Sequence, residues 1–198
     1  MEIRALAIEG AWQVTPRQFP DHRGVFAEGF RGDLLAEHVG HALTVRQTNI
    51  SVSVAGAIRG IHYASLPTSQ AKYVTAVAGR FLDYVVDIRV GSPTFGQFDV
   101  ALLDTVDRRA VYLSEGLGHM LVCLEAGTVV YLCSSTHNPA REKGITPFDE
   151  QVAIPWATEP EPLVSDRDRH APTLAQARAD GLLPDYADCL AFRASLQP

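Results

Sequence analysis

From about residue 45 to residue 134, short runs rich in valine, threonine, tyrosine and phenylalanine recur between glycines, prolines and asparagines, and no long helical pattern interrupts them. Such runs form strands, because β-branched and aromatic side chains pack well on a pleated surface. The stretch "AKYVTAVAGRFLDYVVDIRVGSPTFG" shows this most plainly. Two strand-like runs flank "AGR", and in the second Asp83, Val85, Asp87 and Arg89 alternate with Leu82, Tyr84, Val86 and Ile88, one face charged and the other apolar. "RRAVYLSEGLGHMLVCLEAGTVVYLCSST" continues the pattern, with "SEGLGH" and "EAGT" read as turns. Short helices are expected only from residue 31, in "RGDLLAEHVGHAL", and near the C-terminus in "APTLAQARADGLL", between Pro172 and Gly181. Many strands at regular spacing, unbroken by long helices, predict an all-β antiparallel sandwich or barrel of the jelly-roll type with a short C-terminal helical segment.

A chain of 198 residues, 46% hydrophobic and 20% charged, supports one substantial core, and a single domain over residues 1–198 is expected. The formal net charge of -6 opposes a nucleic-acid groove or a membrane-surface patch, since both need a basic excess; neither partner is expected. Cys123, Cys133 and Cys189 are odd in number and lack metal-type spacing, so they read as reduced core residues. No apolar run reaches the ~18 residues of a membrane helix, and "MEIRALAIEG" lacks the pattern of a signal peptide. A cytoplasmic location is the expectation.

"RGIHYASLPTSQAKYV" places Arg59, His62 and Lys72 close together among strand and turn residues. Three such groups either decorate a solvated face or converge on one anionic, reactive ligand. His119 in "EGLGHML" raises the question of a metal, which needs three or more convergent nitrogen or oxygen ligands. The position two after His62 is Ala64, and no glutamate lies between Tyr63 and Gln70, so the first hairpin supplies one ligand where a metal site needs two or three. No metal and no cofactor are expected. His62 is then free to act as a base; Lys72 could stabilise negative charge on a ketone oxygen while a carbon beside it loses a proton, and Tyr131 in "TVVYLCSS" could return a proton to the opposite face. Each residue also has an ordinary reading, as a packed histidine, an exposed strand lysine or a core tyrosine. Arg23 and Arg59 each precede glycine, a weak signal for bidentate phosphate binding.

Taken in order, "RGVFAEGF", "QTNIS", "RGIHY", "QAKYV", "FLDYVVDIRVGSPTFGQF", "YLSEGLGHML", "VVYL", "REKGI" and "LVSDRD" make the chain resemble the dTDP-4-dehydro-6-deoxyhexose epimerases, the family containing dTDP-4-dehydrorhamnose 3,5-epimerase. The resemblance covers residue 23 to about residue 168. It implies a metal-free, cupin-like jelly roll, a dTDP-linked 4-keto-6-deoxyhexose as substrate, and a homodimer that shares strands across its interface. By position it implies His62 as base, Asp168 as its orienting carboxylate, Lys72 as stabiliser of the enolate and Tyr131 as acid. Arg23, Gln47, Asn49, Arg59 and Arg167 match positions at the diphosphate and base. Phe26 and Glu28 match the pair at the thymidine, and His119, Asp83, His137 and Glu142 complete the expected substrate-binding set.

Two residues depart from the family pattern: His137 replaces a tyrosine that commonly follows the acid, and Ile50 replaces a histidine in "QTNIS". Both are expected near the sugar. With a composition rich in alanine, arginine and aspartate, they favour an enzyme of a natural-product pathway that inverts C3 alone over one that inverts C3 and C5. The competing classes are a metal-dependent cupin enzyme and a non-catalytic sugar-nucleotide binding module.

Overall fold

A computed structural model describes residues 1–67, 69–155 and 161–196. The N-terminal part lays down β1 (Glu2–Ala5), β2 (Ala11–Thr15), the hairpin strands β3 (Gln18–Asp21) and β4 (Gly24–Ala27), and helix α1 (Gly32–Val39). The strand-rich middle gives β5 (Gln47–Ser53), β6 (Ala57–Ala64), β7 (Lys72–Val86), β8 (Phe98–Asp104), β9 (Ala110–Leu113) and β10 (Gly118–Cys133). After it come β11 (Glu142–Gly144), β12 (Leu163–Val164), and helices α2 (Asp166–Arg169), α3 (Leu174–Ala179) and α4 (Tyr186–Ser195). The long strands β7 and β10 are antiparallel neighbours along their whole length. The first half of β7 also pairs with β9 and the second half with β8, while β10 pairs with β6 at its start and with β5 at its end. Each long strand therefore belongs to both layers of an antiparallel jelly roll, the fold class expected.

The bend between the layers corrects one sequence expectation. "AGR" and "EAGT" are not turns between separate strands; β7 and β10 run straight through them, with register shifts between Cys123 and Val129. Gly79 and Gly127 absorb the bend. Gly79 has φ +74°, and a Cβ there would lie 2.6 Å from the Glu125 and Ala126 carbonyls; a Cβ at Gly127 would lie 2.1 Å from the Ala78 carbonyl. Only glycine fits where two bulged backbones approach this closely.

The core follows from the alternation. Phe81, Val85, Val74, Val129 and Leu121 point between the two layers, and Tyr84, Val86, Ile61 and Met120 point outwards onto Leu174 and Ala177 of α3. Leu35 of α1 covers Tyr73 and Tyr112 on the other layer. Because both sheet faces are covered, the charged side of β7 and of the segment after it is not a solvated face: Asp83 in the strand and Asp87 and Arg89 beyond its end are buried. Arg89 makes a two-pronged pair with Asp87, which also accepts from Ser92 and Thr94, so these charges are fully partnered within the fold. The predicted helices both form, the second with a capping box between Thr173 and Gln176. Among the described residues no helix is long and apolar enough to cross a membrane.

Candidate active site

A cavity of about 670 Å³ opens between the layers and is closed on one side by α2. Arg59, His62, Lys72, His119, Tyr131, Arg167 and Asp168 line it. Strand alternation alone would send Arg59 and His62 to opposite faces of β6. Gly60 prevents this: opposite β6, His119 pairs with His62 but Leu121 pairs with Arg59, so β6 carries one extra residue. Gly60 has φ +132°, and a Cβ would lie 2.5 Å from the His119 carbonyl.

His62 Nε2 lies 2.7 Å from Asp168 Oδ1. An ionised carboxylate only accepts, so the imidazole hydrogen is on Nε2 and the Nδ1 lone pair is left for a substrate proton. Asp168 comes from α2, whose N-terminus is capped by the Ser165 hydroxyl accepting from the Asp168 amide. The Gly60 amide approaches the second Asp168 oxygen at 3.4 Å. Burial is the largest influence on this carboxyl and would raise its pKa. The hydrogen bond and charge of His62, with the Gly60 and Ser165 contacts, outweigh it and hold Asp168 below the ordinary aspartate value.

Lys72 opens β7 and Tyr131 lies near the end of β10; Lys72 pairs with Cys133 and Val74 with Tyr131, which makes the two side chains diagonal neighbours on one face. Burial pushes the Lys72 ammonium below the usual lysine range, partly opposed by Cys133, Glu142 and Asp83. Burial pushes the Tyr131 phenol up, and Cys133 and Glu142 add to this, so the phenol keeps its proton at neutral pH. Behind the cavity wall, Asp83 Oδ1 sits 2.9 Å from His119 Nε2, but neither atom has hydrogen-bond geometry.

Arg59 is held by Ser53 Oγ at 3.0 Å and the Val52 carbonyl at 3.1 Å, and Arg167 stands beside Asp168 on α2. The two bring positive charge to one wall of the cavity in an acidic protein. Gln47, Asn49, His137 and Glu142 do not line this cavity but form a linked group: Gln47 donates to Asn49 and accepts from the His137 amide, and His137 Nδ1 meets Glu142. Arg23, Phe26 and Glu28 are not in this cavity. They lie on or beside the separate β3–β4 hairpin, where Arg23 pairs with Asp21, Glu28 with Arg31, and Phe26 is 66% exposed. Ile50 is a correction: it is 72% exposed and alternates with Asn49 and Ser51, so it faces away from the cavity that Ser51 lines. Sequence reasoning missed Ser51, Leu121, Ser165 and Arg169 as lining residues. Ser165 carried a usable signal, because serine three residues before an acidic residue marks a helix start. Among the described residues no three His, Cys, Asp or Glu side chains converge as a metal site would require.

Comparison with known proteins gives this geometry a context. Residues 5–176 match the family described as dTDP-4-dehydrorhamnose 3,5-epimerase. A dTDP-4-dehydrorhamnose 3,5-epimerase of Mycolicibacterium smegmatis is 52% identical over 198 residues, covering 100% of this chain and 98% of the relative. The structure of NovW, a 4-keto-6-deoxy sugar epimerase from the novobiocin biosynthetic gene cluster of Streptomyces spheroides, superposes with a TM-score of 0.93 at 51% identity, over 96% of this chain and 95% of that one. ChmJ, a 3'-monoepimerase from Streptomyces bikiniensis in complex with dTDP-quinovose, superposes with a TM-score of 0.94 at 47% identity, over 97% and 98% of the two chains.

Proposed function

Because the chain belongs to the dTDP-4-dehydrorhamnose 3,5-epimerase family and is an epimerase of dTDP-sugar biosynthesis, we propose that it inverts dTDP-4-keto-6-deoxy-D-glucose at C3, as one cytoplasmic epimerase domain over residues 1–198. The observation that carries this reading is the His62–Asp168 pair at 2.7 Å, in one cavity with Lys72 and Tyr131. His62 Nδ1 takes the C3 proton; the electron pair moves into a C3–C4 double bond and the ketone oxygen becomes an enolate oxygen. The Lys72 ammonium stabilises that oxygen, where a fixed cation acts on charge that develops only in the transition state. Tyr131 gives its phenolic proton to C3 from the opposite face as the carbonyl re-forms. His62 returns its proton to solvent and the Tyr131 phenolate takes one up, so no group is consumed.

Arg59, Arg167, Gln47 and Asn49 are assigned to the nucleoside diphosphate, and His119, Asp83, His137 and Glu142 to the sugar end. Arg23, Phe26 and Glu28 fit this scheme in a homodimer, where the hairpin of one copy reaches the cavity of the other. Exposed Phe19, Val25 and Phe26 on that hairpin, with Ile50 and Val52 on β5 and Val54 just after it, supply apolar surface for such an interface. Inversion of both C3 and C5 is the second reading, favoured by the M. smegmatis relative. His137 in place of the family's tyrosine and the likeness to a 3'-monoepimerase support C3 alone. Tyr131→Phe tests the mechanism: it should exchange the C3 proton with solvent yet fail to invert C3, whereas full inversion would remove Tyr131 as the acid.

A further inference from the structure

Ser53 is the last residue of β5, opposite Gly127 of β10, and its carbonyl accepts from the Cys123 thiol at 3.7 Å. Alternation puts it on the same face of β5 as Ser51, which lines the cavity. Ser53 itself is buried and does not line the cavity. Its hydroxyl oxygen accepts from Arg59 Nε at 3.0 Å, and the preceding carbonyl, that of Val52, accepts from Arg59 Nη2 at 3.1 Å. Two neighbouring acceptors on one strand thus grip the Nε–Nη2 edge of the guanidinium. That group carries five N–H donors in one plane, and among the described residues the two on Nη1 and the second on Nη2 donate to no protein group.

We propose that Ser53 is a positioning residue for diphosphate binding: by engaging one edge of Arg59 it leaves the Nη1–Nη2 edge to meet two phosphate oxygens. This rests on the assignment of Arg59 to the nucleoside diphosphate. A guanidinium recognises phosphate through two parallel N–H groups, so the direction of its plane matters as much as its charge. Arg59 is exposed, and an unheld side chain of that length has many rotamers to lose. Held at Nε and Nη2, it meets the ligand in one orientation and gives up little further freedom on binding. Without the Ser53 hydroxyl, the single hydrogen bond to Val52 remains, and the plane can swing about it. Ser53 touches no part of the substrate in this scheme and acts through Arg59.

The test is calorimetric titration with dTDP and with thymidine, for the parent, Ser53→Ala, Arg59→Ala and the double variant, with melting temperatures to confirm folding. Ser53→Ala should weaken dTDP binding by about 3- to 10-fold, the scale of one net hydrogen bond. Thymidine, which has no phosphate, should bind Ser53→Ala and the parent alike. In the Arg59→Ala background the Ser53→Ala change should weaken dTDP no further, because the group it positions is gone. Ser53→Thr and Ser53→Val share one shape and differ in the hydroxyl, so the first should bind dTDP more tightly even where the added methyl group lowers stability. A merely structural role would weaken both ligands together and would add to the loss in Arg59→Ala. Parental dTDP affinity in Ser53→Ala, equal affinities in Ser53→Thr and Ser53→Val, or additive losses in the double variant would each overturn the proposal. A parent that binds dTDP no more tightly than thymidine, or an Arg59→Ala variant with parental dTDP affinity, would overturn the assignment of Arg59 beneath it.

Discussion

Arg59 and His62 share one face of β6, three positions apart, because the extra residue at Gly60 breaks the two-residue period of the strand. The cation proposed for the diphosphate and the residue proposed as base thus line one cavity from a single strand. Gly60→Ala should damage both, since its Cβ would meet the His119 carbonyl at 2.5 Å and φ is +132°. Such a backbone position costs about 1–3 kcal/mol for a residue with a side chain. Thermal unfolding should fall by several degrees, with activity lost beyond what the folded fraction explains; an alanine variant with parental stability and rate would show that the bulge is not required.

His62→Ala should lower turnover by roughly 100- to 10,000-fold, the range of general-base catalysis. Affinity for dTDP should stay nearly unchanged, because the arginines are assigned to the diphosphate. Calorimetric titration beside a steady-state assay separates the two effects. Activity above a few per cent would remove His62 as the base.

The two shifted groups beside each other set the alkaline behaviour. Burial pushes Lys72 down and Tyr131 up, which brings loss of the Lys72 proton to lower pH and delays that of Tyr131. Activity requires the ammonium and should therefore decline below the ordinary lysine value of about 10.4. Lys72→Arg keeps its charge throughout this range and should lose that limb at a reduced maximal rate. An unchanged limb in this variant would assign the titration to another group.

The apolar strip of Ile50 and Val52 on β5 and Val54 just after it predicts association. The double substitution Ile50→Glu and Val52→Lys should convert a dimer to a monomer in sedimentation and lower activity, since Arg23, Phe26 and Glu28 would no longer meet a cavity. A parent that sediments as a monomer at assay concentrations would contradict the dimer.

The strand-rich middle was legible because β-branched alternation is a local signal, and so were the two capped helices. The bends in β7 and β10 were not, because glycine marks a turn and a bulge alike; only the pairing partners distinguish them. Helix α4 was missed although Asp185 accepts from the Ala187 and Asp188 amides, a cap whose sequence is short and has no strong apolar period after it. Within the site, His62, Lys72 and Tyr131 were read from the residues themselves and Asp168 from the resemblance, and the fold brings all four together. Asp83 looked like part of a charged strand face and is instead buried behind His119, since the second layer that covers it is remote in sequence. Ile50 was misplaced because the match in "QTNIS" fixes its position along the strand but not the face it occupies.

The central claim, proton removal at C3 alone by this cavity, is tested most directly by proton NMR of dTDP-4-keto-6-deoxyglucose with the protein in heavy water, following H3 and H5 separately. The account predicts that the H3 signal disappears while H5 persists. Loss of both signals at comparable rates would contradict C3 selectivity, and loss of neither would contradict the epimerase assignment for this substrate.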